Sequence, residues 1–159
     1  MSTLAQIRTA IVAAMNTVPD IGRVHDRERY FREEPKFRAL YLYTPAGGEQ
    51  QLRGWTVRRT ATVERDANMV RTINVHTWTI RGYMAFKDED GSELVFDDLV
   101  EQIRAVVRAD PTFGDVCQLG PLDDGDNTNG VQVNDAGPVT FCGVLCHSAV
   151  LQLRTWSYL

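Results

Sequence analysis

Two long stretches of alternating side chains limit what this chain can fold into: Leu52–Val63 and Val70–Phe86. Alternation with a period of two is typical of a β-strand that is buried on one face. A short charged segment, residues 64–68, lies between the stretches, so we predict one long antiparallel hairpin. Its strands exceed the usual length of about five or six residues. The first strand is predicted to place Trp55, Val57, Ala61 and Val63 on its apolar face, with Arg59 as the exception, and Thr56, Arg58, Thr60 and Thr62 on its polar face.

Apolar residues recur at helical spacing in two other places. In residues 3–16, Ser2 or Thr3 can cap the helix, and the Pro19–Gly22 segment ends it. In Leu94–Ala109, acidic residues near the start and Arg104 and Arg108 near the end suit the helix dipole. The predicted buried stripes are Leu4, Ile7, Ile11, Ala14 and Met15 in the first helix and Leu99, Val100, Ile103, Val106 and Val107 in the second.

The remaining segments complete an α+β domain. The charged segment 25–37 is predicted as a solvated loop or as an arm that docks on a neighbour through its arginines and aromatic residues. A short strand is expected at Ala39–Tyr43, a polar loop at 120–138 and a closing strand at 139–158. We therefore predict a single domain over residues 1–159. It has a mainly antiparallel sheet with a long β-hairpin, and two amphipathic helices packed on the sheet.

The closing segment contains Cys142, Cys146 and His147, which raises the question of a metal site. In one continuous strand the two cysteines would share a face about 13 Å apart, and His147 would point to the opposite face. Two thiolates on one zinc ion each lie about 2.3 Å from it, so we predict reduced, metal-free cysteines. With Cys117 the cysteine count is odd, and no signal peptide or apolar run of membrane length is present. These features favour a product of the cytoplasm.

Catalytic motifs are absent from the sequence. Neither acidic turn, at 87–91 or 120–138, has the oxygen ligands of an EF-hand at the required positions. Two alternatives stay open: a weak cation site at Asp123–Asp126, and a small metal-dependent hydrolase built around His76, His147 and the acidic loop. We expect no catalytic, cofactor-binding or metal residue, and a structural protein in place of an enzyme.

Charge is distributed unevenly along the chain. Residues 1–87 carry a net charge of +6, residues 88–135 a net charge of −11, and the whole chain a net charge of −4. Either the two regions interleave in the fold and neutralise each other, or the subunit has a basic and an acidic face that pair head to tail with copies of itself. The acidic balance gives no support to sequence-independent nucleic-acid binding.

The order of these elements resembles the tail terminator (tail completion) proteins of long-tailed bacteriophages. The residues that carry the resemblance are RGWTVRR, NVHTWTIRGYMAF and, directly after it, FDDLVEQIRAVVRADPTFGD. The closing VTFCGVLCHSAVLQLRTWSYL is similar to the last strand of that family. The likeness spans about residues 3–158 and consists of patterns of elements, without a signature motif.

The resemblance implies a virion protein of the tail or neck, made in the cytoplasm of the host bacterium. Such subunits form a ring, most often of six, that caps the tail tube, stops its polymerisation and joins the tail to the head connector. The implied partners are other copies, the tail tube protein and the connector proteins, while DNA passes through the lumen without specific binding. The charge distribution suggests inter-subunit contacts between Arg27, Arg29, Arg32, Arg58 and Arg71 on one copy and Asp88, Asp90, Asp123, Asp124 and Asp126 on the next.

Three other functions compete with this expectation. A different neck or connector component, or a tail-tube subunit, would use similar sheets and loops. The small hydrolase is the alternative from a different class, and a monomeric binding module is the third.

Overall fold

The fold is α+β, as predicted, with one six-stranded and mostly antiparallel sheet. The computed structural model describes residues 2–120, 122 and 125–159. The strand order is β1-β3-β4-β6-β5; β1 runs parallel to β3, and β2 pairs with the start of β3. The elements are α1 Leu4–Asn16, β1 Arg23–His25, α2 Glu34–Ala39, β2 Leu42–Tyr43, β3 Gln51–Asn68, β4 Arg71–Ala85, α3 Ser92–Ala109, β5 Gln132–Phe141 and β6 Val144–Tyr158.

Helices α1 and α3 cover one face of the sheet, which we call the helix face. The Thr3 hydroxyl accepts a hydrogen bond from the Gln6 amide and the Gln6 side chain accepts one from the Thr3 amide, so a capping box starts α1. The buried stripes of the two helices meet the sheet in one apolar core, and both predicted helices are confirmed. The helix residues of the core include Ile7, Ile11, Met15, Phe96, Leu99, Ile103 and Val107, and its sheet residues include Trp55, Val57, Trp78, Ile80, Leu151 and Leu153.

Two tryptophans fix the centre of this core. Both indoles are fully buried, and each uses its N–H group. The Trp55 Nε1 donates to the Ile21 carbonyl at 2.8 Å, and the Trp78 Nε1 donates to the Thr155 hydroxyl at 2.9 Å. The first bond ties the segment after α1 to the sheet, and the second ties β4 to β6.

The long hairpin is formed by β3 and β4, with a bulge that the alternation does not reveal. Arg59 pairs with Trp78 and Ala61 pairs with Thr77, so Thr60 is an extra residue in β3. Because directly paired residues share a face, the bulge moves Ala61 to the face opposite Trp55. The predicted common face of Trp55, Val57, Ala61 and Val63 is therefore wrong beyond Arg59. Arg59 does lie on the face of Trp55 and Val57, as predicted, because the bulge follows it.

A second hairpin, β5–β6, replaces part of the predicted polar loop and divides the predicted closing strand. Cys142 and Gly143 have φ values of 51° and 73°, which gives a two-residue turn with both central residues left-handed. The continuous strand over 139–158 and its separation of about 13 Å between Cys142 and Cys146 are therefore wrong. His147 does lie on the face opposite Cys146, as predicted. It stacks on Phe86 and Phe96 on the helix face.

The charged segment 25–37 is not wholly a loop, because its end forms α2. This short helix packs against the face of the sheet opposite the helix face. Its Phe37 ring contacts the rings of Tyr41 and Phe141 edge to face. Tyr41 is buried, whereas Tyr30 remains 71% exposed. The strand expected at Ala39–Tyr43 is confined to β2.

Candidate subunit interfaces

The outer half of β3 is an open sheet edge. Its edge pairs with β2 and β1 only as far as Thr56, and residues 58–68 have no partner strand on that side within the described part of the chain. These residues are exposed, except for the half-buried Arg65. An unpaired edge of this length presents a row of backbone N–H and C=O groups that another strand can pair with.

The opposite side of the same sheet ends in a second open edge, β5. Strand β5 pairs with β6 on one side only, and seven of its ten residues are exposed. Pro138 lies in this strand without an N–H group, as is typical of edge strands. The sequence carried that signal, but the polar composition of residues 132–138 led to the prediction of a loop.

Two different open edges on one sheet favour head-to-tail association. A strand of one copy that pairs with the other edge of the next copy makes a heterologous contact, and such contacts build rings or filaments. Residues 58–68 of β3 carry three arginines and two acidic residues, a net charge of +1, whereas the charged residue of β5 is Asp135. The charges of the two edges are therefore weakly complementary.

The tip of the β3–β4 hairpin is apolar and exposed. Met69 is 102% exposed and Val70 is 90% exposed. Asn68 organises the turn, since its side-chain oxygen accepts hydrogen bonds from the backbone N–H groups of Val70 and Arg71. An ordered tip with two exposed apolar side chains is the type of surface that marks protein contacts.

The arm, residues 26–33, holds three of the predicted basic contact residues. Arg27 pairs with Asp26 at 2.7 Å. The side chains of Arg29 and Arg32 form no ion pair or hydrogen bond with the described residues. These two arginines therefore have charges that a neighbouring subunit can reach.

The other two predicted basic residues are engaged within the subunit. Arg58 on β3 pairs with Glu28 of the arm at 2.9 Å. The Arg71 guanidinium lies 5.0 Å from the centre of the Tyr158 ring, a cation–π contact at the hairpin tip. Neither contact involves the acidic region 88–135, so the two sequence interpretations of the charge distribution both stay open.

Asp88 and Asp90 lie at the other end of β4 from the hairpin tip, in a short 3-10 turn. Asp90 pairs with Lys87 at 3.0 Å, which raises the pKa of the Lys87 ammonium through a hydrogen bond and charge attraction. Over the 15 residues of β4, the end with these acids lies roughly 45 Å from Arg71, at about 3.3 Å per residue. Arg71 and this acidic pair therefore lie at opposite ends of β4.

The third acidic candidate, Asp126, pairs with Arg154 at 3.1 Å. The Thr128 hydroxyl and amide donate to its carboxylate, and these hydrogen bonds, together with the Arg154 charge, lower its pKa. Asp123 and Asp124 lie outside the described residues. No group of three metal-ligating side chains occurs in residues 2–120, 122 and 125–159.

The two histidines of the hydrolase alternative lie far apart. His147 pairs with Met84 across β4 and β6, whereas His76 is eight residues earlier in β4, a separation of roughly 26 Å at about 3.3 Å per residue. His76 bonds to the Thr62 hydroxyl through Nδ1 at 2.8 Å, and burial lowers its pKa. Ligand nitrogens lie about 2.1 Å from zinc, so the two rings cannot share an ion.

His147 also forms a buried pair with a serine. Its Nε2 lies 2.7 Å from the Ser92 hydroxyl, which accepts a hydrogen bond from the Lys87 amide. A serine nucleophile needs a base that a third group orients, but Nδ1 of His147 has no hydrogen-bond partner in the described part of the chain. The pair links the start of α3 to β6.

The three cysteines form no disulfide bond. Burial raises the pKa of the Cys117 thiol to about 12 and, together with the neighbouring Cys142, that of Cys146 to about 11. Protonated thiols are poor metal ligands and poor nucleophiles.

No protein-family model and no curated protein matches this chain. Among its described helices, none has the length and apolar character needed to cross a bilayer.

Proposed function

We propose that this chain is a structural subunit of a bacteriophage tail, a tail terminator that closes into a ring on the end of the tail tube. The observation that supports this best is the single sheet with two unlike open edges, β3 beyond Thr56 and all of β5. A subunit of this kind joins copies of itself by continuing one sheet into the next. The ring then stops tube polymerisation, offers its outer face to the head connector and lets DNA pass without specific binding.

Charge and apolar contacts have different roles in this ring. Each exposed ion pair contributes only about 0–1 kcal/mol, so the arm arginines Arg29 and Arg32 set orientation more than affinity. The backbone pairing of the edges and the apolar tip at Met69 and Val70 supply most of the affinity. The isolated protein can stay monomeric, because the end of the tube provides the template on which the ring closes.

The decisive test blocks one edge without disturbing the core. Val133 and Val139 of β5 are 43% and 38% exposed, so a Val133→Lys/Val139→Lys double variant puts two charges on the open edge. Leu94 of α3 is 74% exposed, and Leu94→Lys is the control for an exposed apolar side chain replaced by lysine. Each protein is supplied to cells infected by a phage that lacks the gene, and the tails are imaged.

Wild type and Leu94→Lys should restore tails of uniform length, with one ring of this protein at the head-proximal end. The edge variant should stay folded by circular dichroism and yield tails of irregular length without heads. A chain that is stacked along the whole tube is a tube subunit, and a chain that is missing from the virion refutes a structural role altogether. Normal tails with the edge variant would refute the edge-pairing mechanism.

The contribution of the arm arginines to ring formation can be tested separately. Arg29→Glu/Arg32→Glu should lower the fraction of tails that carry a ring, and the loss should be larger at low salt. Arg108 of α3 is exposed, and Arg108→Glu makes the same change in net charge as the single variant Arg32→Glu but away from the arm. Equal effects of these two single variants would show that net charge, and not the arm, is responsible.

A further inference from the structure

A small pocket on the face of the sheet opposite α1 and α3 has the lining of an oxyanion site. It has a volume of about 70 Å³ and is lined by Thr56, Arg58, Thr60, Thr79, Arg81 and Glu28. Pockets for drug-sized molecules measure about 300–1,000 Å³, and one water takes about 30 Å³. The space therefore suits a group of a few heavy atoms.

The strand register places these side chains together. Thr56 pairs directly with Arg81, and Arg58 pairs directly with Thr79, so the two arginines are diagonal neighbours on one face. The bulge residue Thr60 closes one side, and its hydroxyl lies 3.1 Å from that of Thr79. Two guanidinium groups and three hydroxyl groups thus surround one small space.

Two of these donors have no partner in the described part of the chain. Thr56 is 7% exposed, and its hydroxyl makes no hydrogen bond with the described residues. The Thr56 hydroxyl is not among the buried side-chain atoms that lack a partner in the described residues, so its oxygen reaches solvent and is accessible to a ligand. The Arg81 side chain likewise makes no ion pair or hydrogen bond with the described residues. A bound oxyanion would satisfy both.

Glu28 occupies part of the pocket rim as an internal competitor. Its carboxylate holds Arg58 at 2.9 Å, with the two side chains 62% and 55% exposed. An ion pair this exposed exchanges readily with a ligand anion. The Glu28 carboxylate satisfies Arg58 but leaves Arg81 and Thr56 unpaired, whereas a tetrahedral group has oxygens for both sides.

We propose that this pocket binds a phosphate group. Arginine is suited to phosphate by its planar fork of donors, and the threonine hydroxyls can donate to the remaining oxygens. The phosphate can come from free inorganic phosphate or from a nucleic-acid backbone, and the chemistry of the pocket is the same for both. This site does not depend on ring formation.

The test is an NMR titration of the full-length protein at constant ionic strength, first with inorganic phosphate and then with a short DNA duplex of mixed sequence. Saturable shifts are expected at the amides of residues 56–60 and 79–81. Arg81→Met should weaken binding by about tenfold or more, the usual effect of losing a charge-assisted hydrogen bond. Arg108→Met on α3 removes the same charge far from the pocket and should leave the affinity unchanged.

Two further variants separate binding from folding. Thr56→Val keeps the shape of the side chain and removes the unpaired hydroxyl, so it should weaken binding without lowering the melting temperature. Glu28→Gln should strengthen binding several-fold, because the competing carboxylate is gone.

Binding of inorganic phosphate with this variant pattern supports a site for the free ion. Binding of the duplex alone, with the same pattern, supports a site for a backbone phosphate. Absence of saturable shifts with either probe overturns the proposal, and so does an equal loss of affinity in Arg81→Met and Arg108→Met.

Discussion

A single methyl group at Gly82 should destabilise the protein strongly, because the Trp55 ring lies across this residue. A Cβ atom built on Gly82 would lie 2.2, 2.3 and 2.7 Å from Cζ3, Cε3 and Cη2 of Trp55. Favourable contacts between carbon atoms need about 3.5–4.0 Å. The overlap therefore exceeds 1 Å on one ring edge.

The indole has no room to move away. Trp55 is fully buried, donates to the Ile21 carbonyl at 2.8 Å and stacks on Phe96 with a centroid distance of 5.6 Å. An added methyl in a packed core costs about 1–3 kcal/mol, and this site belongs at the upper end. The gain from restricting the unfolded backbone is only about 0.4–1 kcal/mol. We expect a net loss of about 2 kcal/mol, or a fall in melting temperature of about 4–8 °C for a domain of this size.

Gly137→Ala is the matched control. Gly137 also lies in a strand, at the open edge β5, and a Cβ atom there would meet nothing within 4 Å. Its stability should be unchanged or raised by up to about 1 kcal/mol. Urea unfolding of both variants measures the difference at constant m-value. Equal stabilities for Gly82→Ala and Gly137→Ala would refute the packing of Trp55 against Gly82.

Three other predictions concern pH, thiols and the first helix. Burial, with the charge of Arg59, lowers the pKa of His76, so the unfolded state binds more protons than the folded state. The stability of the protein should therefore fall as the pH drops through the ordinary histidine pKa near 6.5. In His76→Gln, the urea midpoint should fall less over this pH range. Cys142 is half-buried and should react first with a thiol reagent at pH 8, whereas Cys117 and Cys146 should react only after denaturation, as counted by mass spectrometry. Thr3→Ala removes the cap of α1 and should cost about 1 kcal/mol in the free energy of unfolding, seen as a fall of about 2–4 °C in melting temperature.

The sequence predicts the central hairpin and both long helices because each has one buried face. A buried face imposes a period, and Trp55, Val57, Ile7 and Ile11 follow the periods of a strand and a helix. The bulge at Thr60 could not be predicted, because it depends on the partner residue across the ladder. One extra residue shifts the phase of the alternation, and nothing in the local composition marks the position.

The β5 strand was missed for the opposite reason. An edge strand that is exposed on both faces has no apolar period, so Gln132–Phe141 has the composition of a loop apart from Pro138. The turn at Cys142–Gly143 lacks the Asn-Gly or Asp-Gly pair that usually marks a two-residue hairpin. These features form only when β6 supplies the ladder, and the open edge that supports the proposed ring was therefore not visible in the sequence.

The charged residues predicted as inter-subunit contacts also show what the sequence alone cannot predict. Composition identifies arginines and acids, but only the fold decides which of them neutralise each other within the subunit. Glu28 of the arm forms an ion pair with Arg58, and Asp126 forms one with Arg154 of β6. The side chains of Arg29 and Arg32 make no ion pair with described residues. The pocket around Arg81 was invisible for a similar reason, since its side chains come from two strands and the arm.

Arg58 belongs to both proposals, because it is a candidate ring contact and also lines the phosphate pocket. Arg81 and Arg32 each belong to only one of the two, so their variants can distinguish the proposals. If an acid of the next subunit binds Arg58 in the ring, that acid competes with phosphate for the same guanidinium, and ring closure should weaken phosphate binding. Arg81 belongs to the pocket, and Arg32 belongs to the arm. Arg81→Met should therefore weaken phosphate binding and leave tail length unchanged, while Arg32→Glu should do the reverse. If both substitutions disturbed both measurements, the arm and the pocket would form one functional surface, and the ring contact would then have to be assigned to this face of the sheet in place of its edges.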